Sequence, residues 1–138
     1  MKNYYLTITG ILGASGVALG ALGAHFLKNK MQSGLITTDQ LSGFETGTKY
    51  QLFHALALLA IYFYNKDKNL KWLNRASVLF ITGTLLFSGS LYLLTTRNLT
   101  GMEGLLYLGP ITPLGGIALI AGWCCLIILA IQSKKTAN

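Results

Sequence analysis

The residues whose types and spacing could carry chemistry are two histidines, a glutamine and a row of hydroxyls, most of them inside long apolar stretches. Tyr50, Gln51 and His54 fall on one helical face through i, i+3 and i+4 spacing. Ionisable groups inside a membrane are expensive and face protein or water, so His54 is a candidate proton relay or ligand contact. The alternative is a histidine satisfied by a buried hydroxyl or carbonyl. Thr84, Ser88, Tyr92 and Thr95, with Gly89 beside them, form a second polar stripe. Hydroxyls bond across membrane helices for about 0.6 kcal/mol each on average, which favours structural glue over one wall of a cavity shared with His54. His25 lies near the end of an apolar stretch, where interfacial water can solvate it. Cys124 and Cys125 are adjacent, diverge by about 100° on a helix and lack the four ligands of a structural zinc site. They read as small packing residues, and neither a metal nor a cofactor is expected. No paired carboxylate, zincin motif or Ser/His/Asp constellation points to an enzyme.

The elements that must position these residues are set by hydropathy. Hydrophobic residues make up 52% of the 138-residue chain and charged residues 11%, with a mean hydropathy of +0.52. That balance exceeds a typical soluble domain's. A hydrocarbon core of about 30 Å takes roughly 20 helical residues to cross, and four stretches fit: 4–27, 44–64, 76–95 and 113–131. The expectation is an all-α integral membrane four-helix bundle forming a single domain over residues 1–138. The second span has the weakest signal, since its charge-free part runs from Tyr50 to Tyr64 and Glu45 and Lys49 must snorkel at its start. A Ser42-x-x-Glu45 or a Thr37-x-x-Gln40 capping box could begin it. If the helix is continuous from Glu45, His54 lies roughly 13 Å further along its axis, near mid-membrane. Ala18-Leu19-Gly20 loosely resembles a signal-peptide cleavage site, but the apolar run is too long for a typical h-region.

An even number of spans puts both termini on one side. Lys2, Lys66, Lys68, Lys71, Arg75, Lys134 and Lys135 against Asp67 lie on that side, while Lys28, Lys30, Lys49 and Arg97 face Asp39, Glu45 and Glu103 on the other. The positive-inside rule then makes the termini cytoplasmic. Tyr4, Tyr5, Tyr62, Tyr64 and Trp72 suit an aromatic belt at that face. The net charge of +7 sits in short loops with no basic helix or aromatic RNA platform, which argues against nucleic acid and for anionic lipid as the neighbour.

Small residues crowd the first stretch, where Gly10, Gly13, Gly16, Gly20 and Gly23 alternate with alanines. Gly16, Gly20 and Ala24 form one small-xxx-small ridge and Gly10, Ala14 and Ala18 another, and two ridges imply two helix neighbours. Those neighbours could lie within the chain or in a homo-oligomer. Gly20-Ala21-Leu22-Gly23 faintly suggests a nucleotide loop, without the strand that a loop of that kind follows. Residues 28–43 read as a turn or short helix on the outer surface, and 96–112, Gly-rich with Pro110, as an irregular re-entry. Thr112 suits an N-cap and Pro113 the first helical position. Gly115 and Gly116 would leave first-turn amides open to an anion, or simply permit a sharp start.

Gly20-Ala21-Leu22-Gly23-Ala24-His25, Phe44-Glu45-Thr46-Gly47 with Lys49-Tyr50-Gln51-Leu52-Phe53-His54-Ala55-Leu56-Ala57, Leu86-Phe87-Ser88-Gly89-Ser90-Leu91-Tyr92, and Ile111-Thr112-Pro113-Leu114-Gly115-Gly116 with Gly122-Trp123 touch every span in order. On these blocks the chain resembles the domain of unknown function 423 family, with Phe53 where a tyrosine is common. The resemblance implies a small multi-pass protein of the bacterial membrane and carries over no catalytic residue. Two function classes follow. One is a structural or accessory component that self-associates or joins a larger membrane complex. The other is a small channel or transporter for protons or a polar solute. The second would use an outward-facing polar pocket of His25, Glu45, Lys49, Tyr50, Gln51, His54, Ser88, Tyr92 and Thr112.

Overall fold

The computed structural model describes residues 3–135. Lys2 lies outside them, as do the side chains of Glu103, Lys134 and Lys135. Among the described residues the chain is all-helical, with no strand. Helix α1 (Tyr4–Gln32) is α-helical over Tyr4–Leu22, widens into a π turn over Gly23–Leu27 and closes over Lys28–Gln32. Helices α2 (Thr38–Asn65), α3 (Lys71–Thr100) and α4 (Ile111–Lys135) follow, with a 3-10 segment at Glu103–Leu108.

Every helix outruns its apolar run, because hydropathy marks the part that suits hydrocarbon while the backbone continues to a stop signal. For α2 that signal is Thr37. The amide of Gln40 donates to Thr37 Oγ1 at 3.1 Å and the amide of Thr37 donates to Gln40 Oε1 at 2.9 Å. This reciprocal box satisfies two otherwise orphaned donors, so Ser42 and Glu45 lie inside the helix. Helix α3 ends where Gly101 takes φ 67° and its amide reaches the Arg97 carbonyl, a left-handed cap that glycine adopts without steric cost. Helix α4 begins at Ile111, directly after Pro110, two residues earlier than a Thr112 cap requires.

Three helical segments are long and apolar enough to cross a membrane: Tyr4–Gln32, Lys71–Thr100 and Gly104–Ser133. Helix α2 has 28 residues, about 42 Å at 1.5 Å each, but Asp39, Glu45 and Lys49 occupy its first half. Val17, Phe53, Leu56, Phe63, Ile117 and Ile120 point outward and are largely exposed. Such a surface suits lipid rather than water.

The helices pack in chain order, α1 on α2, α2 on α3 and α3 on α4, and α1 shares no extensive interface with α4. The row curls enough for Leu12 of α1 to join Leu58, Phe80 and Leu119 in one core. A second cluster of Leu27, Ile36, Leu41 and Phe44 closes the opposite end, and the π turn supplies its Leu27. The α3–α4 contact is the closest. A methyl at Gly83 would come within 2.7 Å of Leu119 Cδ2, one at Gly122 within 2.5 Å of the Phe80 ring, and one at Gly115 would fall on the backbone of Phe87. Gly115 therefore serves an approach of two backbones, and its place near the start of α4 is explained without an anion.

Candidate functional site

His54 is 4% exposed and faces α4. A recess of about 310 Å³ beside it is lined by Tyr50, Phe87, Leu119 and Trp123 among others. Its Nδ1 lies 2.8 Å from the carbonyl of Tyr50, one helical turn back. A carbonyl only accepts, so Nδ1 carries the proton and Nε2 presents a lone pair. The indole of Trp123, which only donates, meets that lone pair at 3.3 Å. The Phe80 ring packs edge-on against the imidazole with centroids 5.0 Å apart, and Tyr50 lies against Phe87 at 4.7 Å. Both nitrogens of the neutral ring are engaged in an aromatic box. Taking a second proton at Nε2 would set one N–H against another and break the Trp123 contact.

Gln51, one residue before Leu52 on the same helix, turns the other way. Its Nε2 donates to the Leu12 carbonyl at 2.7 Å and to Ser15 Oγ at 2.8 Å, and its Oε1 accepts from the Tyr92 hydroxyl at 2.8 Å. One side chain thus ties α1, α2 and α3. Gly16 opens the way: a methyl there would stand 3.3 Å from Gln51 Nε2 and 2.8 Å from Leu52 Cδ2. The hydroxyl stripe of α3 extends this seam. Ser88 donates to the Gly47 carbonyl at 2.7 Å, and Thr95 donates to the Gln40 carbonyl at 2.6 Å while Gln40 Nε2 returns a bond to the Thr95 carbonyl at 3.3 Å. Thr84, in the same stripe, has a buried hydroxyl with no partner among the described residues.

The remaining candidates lie elsewhere. Glu45 and Lys49 are exposed and line a shallow cleft with Gly20, Gly23 and Ala24 of α1. His25 is exposed on the π turn. Thr112 pairs its hydroxyl with Ser90 at 2.7 Å, joining α3 to α4. The nine pocket residues are thus distributed over the His54 recess, the Gln51 seam, the Glu45–Lys49 cleft with His25 outside it, and the Ser90–Thr112 contact. Among the described residues no group of three or more His, Cys, Asp or Glu side chains could hold a metal. Sequence reasoning missed Phe80 and Trp123 as partners of His54. Both look like ordinary apolar residues of their own helices, and nothing local signals a contact spanning 69 positions.

The glycines of α1 divide. Gly16, Gly20 and Gly23 pack on Leu52, Thr48 and Phe44 of α2, while a methyl at Gly10 or Gly13 would meet nothing within 4 Å. Gly10, Ala14 and Ala18 are all exposed.

At the level of known proteins, a family model described as "Protein of unknown function (DUF423)" matches residues 19–116. The chain is 36% identical to the UPF0382 inner membrane protein YgdD of Escherichia coli K12 over 97% of its own length and 94% of that protein's. It is 38% identical to a UPF0382 membrane protein of Haemophilus influenzae over 98% and 99% of the two lengths. The UPF0382 membrane protein YwdK of Bacillus subtilis is 34% identical over 93% and 96%. No solved structure matches. With its apolar helices, its lipid-suited surface and full-length relatives all named as membrane proteins, the chain belongs to the DUF423 family of uncharacterised membrane proteins.

Proposed function

We propose that this protein is a four-span structural or accessory component of the cell membrane, with cytoplasmic termini, that associates with a second copy or a larger membrane complex through the Gly10-Ala14-Ala18 ridge of α1. The observation that carries this reading is the vacancy beside Gly10: of two small-residue ridges, one is filled by α2 and the other faces outward. Small residues let backbones approach closely enough for dispersion to replace lipid contacts. The interior supports the same reading. Gln51, Ser88, Tyr92, Thr95 and His54 are engaged in bonds between or along helices, which suits a rigid scaffold better than a path for protons or solutes.

Because a methyl at Gly10 meets nothing within 4 Å among the described residues and the position faces outward, Gly10→Leu separates association from folding. The wild-type protein, extracted in mild detergent, is expected to migrate as a dimer or with a partner, and the variant as a folded monomer. A wild-type protein recovered solely as a monomer, with nothing bound, would sink the proposal.

A further inference from the structure

Where α1 and α4 fail to meet, a groove of about 600 Å³ remains over α3, near the ends of the chain. Its floor is one face of α3. Lys71, Asn74, Arg75, Val78 and Leu79 follow i, i+3, i+4, i+7 and i+8 spacing, so they run as a single stripe about 12 Å long from the first turn inward. Tyr5 of α1 and Cys125 of α4 form the walls. The stripe changes character along its length, polar and cationic in the first turn and apolar in the third.

The polar groups at the open end are not equivalent. Asn74 is already tied on both sides, accepting from Asn65 at 2.8 Å and donating to Asn69 at 2.9 Å. Arg75 lies over the Trp72 ring at 4.7 Å, which holds its guanidinium while leaving its donors for another acceptor. Neither Lys71 nor Arg75 pairs with a carboxylate among the described residues, and no acid lines the groove. Two unneutralised cations above an apolar trough match a molecule with an anionic head and a hydrocarbon tail. Basic pockets between membrane helices recognise lipid phosphates in this way.

We propose that this groove binds one anionic phospholipid, its phosphate between Lys71 and Arg75 and an acyl chain along Val78, Leu79 and Cys125. The site is independent of the association ridge, since Tyr5 lies on the opposite side of α1 from Ala14 at 100° per residue. Charge selects the lipid and the trough holds it, which distinguishes the site from diffuse attraction of a basic loop to a membrane surface.

The test uses the full chain in phosphatidylcholine vesicles, with Trp123→Phe leaving Trp72 as the fluorescent reporter. Phosphatidylglycerol brominated near the carbonyl end of its chains is expected to quench Trp72 at several-fold lower mole fraction than equally brominated phosphatidylcholine. Lys71→Gln should lower that preference about fivefold, the effect of roughly one basic residue at an anionic surface, while Lys68→Gln on the adjoining loop leaves it nearly intact. Val78→Phe fills the trough without changing charge and should weaken quenching by both lipids. Equal quenching by the two wild-type lipids overturns the proposal. An equal loss in Lys68→Gln and Lys71→Gln overturns it in favour of diffuse surface charge, and unchanged quenching in Val78→Phe removes the acyl placement. Efficient cross-linking of Val78→Cys between copies would show that a second chain fills the groove instead.

Discussion

Helix α1 is held to α2, and helix α4 to α3, by different balances of close packing and hydrogen bonding. The α3–α4 contact is built on absent side chains, with Gly83, Gly115 and Gly122 each giving way to a neighbour's side chain or backbone. The α1–α2 contact also has a glycine ridge, but its centre is a polar knot in which Gln51 reaches the Leu12 carbonyl and Ser15. In lipid there is no hydrophobic drive between helices, so close packing and hydrogen bonds are what remain. A backbone approach needs continuous small residues and tolerates no growth. A hydrogen-bonded knot fixes one point and leaves the rest of the helix to find other partners. That difference is why α1, and not α4, offers a vacant small-residue face.

The comparison breaks most sharply at Gly115. Its added methyl would fall on the Phe87 backbone, which cannot swing aside as a side chain can, so Gly115→Ala is expected to cost about 3 kcal/mol, the upper range for overpacking. Unfolding titrations in mixed micelles would show it, and an effect below about 1 kcal/mol would mean that the two helices separate without loss. Gly122→Ala meets the Phe80 ring first, a side chain rather than backbone, and should cost less.

Gln51→Leu comes next. It removes two bonds to α1 and the acceptor of the Tyr92 hydroxyl, and at about 0.6 kcal/mol each the loss is about 2 kcal/mol. Cysteine pairs across α1 and α2 should cross-link more slowly in this variant while α3–α4 pairs keep their rate. Equal slowing at both contacts would erase the distinction between them.

His54→Phe has a smaller expected effect. The ring keeps its packing on Phe80, but the Trp123 indole loses its acceptor, a change of about 0.6 kcal/mol. A shift in Trp123 emission with little change in stability is the expected pair of results. A stability loss of several kcal/mol would mark His54 as the centre of the α2–α4 contact rather than an accessory to it.

Much of this organisation was legible in the chain. Apolar runs located the helices, because hydrocarbon thickness sets their minimum length, and of the two capping boxes the sequence offered for α2, Ser42-x-x-Glu45 and Thr37-x-x-Gln40, the second is the one that forms. The α3 stripe was visible by its period, and Ser88, Tyr92 and Thr95 do bond to other elements. Periodicity says which residues share a face but not what that face meets. Gln51 and His54 share a polar stretch of α2, yet one turns to α1 and α3 and the other to α4. Gly115 read as a feature of a helix start because its partner, Phe87, lies in another helix. The two ridges of α1 were equally visible and equally small, and composition cannot say which is covered when lipid and helix surfaces are alike in polarity.

The sharpest contrast, down to the smallest expected effect, comes from the same substitution on the two sides of α1. Gly16→Ala places a methyl 2.8 Å from Leu52 Cδ2. That side chain can turn, so the cost is about 1 kcal/mol, at the low end for overpacking. Gly10→Ala meets nothing and should leave the isolated chain within about 0.5 kcal/mol of wild type, or slightly more stable, since alanine loses less conformational entropy in a helix. Association must behave in the opposite sense if the outer ridge is a contact. Gly10→Ala should weaken self-association or partner recovery while Gly16→Ala spares it. If both variants lose association together, the ridge acts only through the fold of α1; if Gly10→Ala alone does, the two faces of one helix have separate partners.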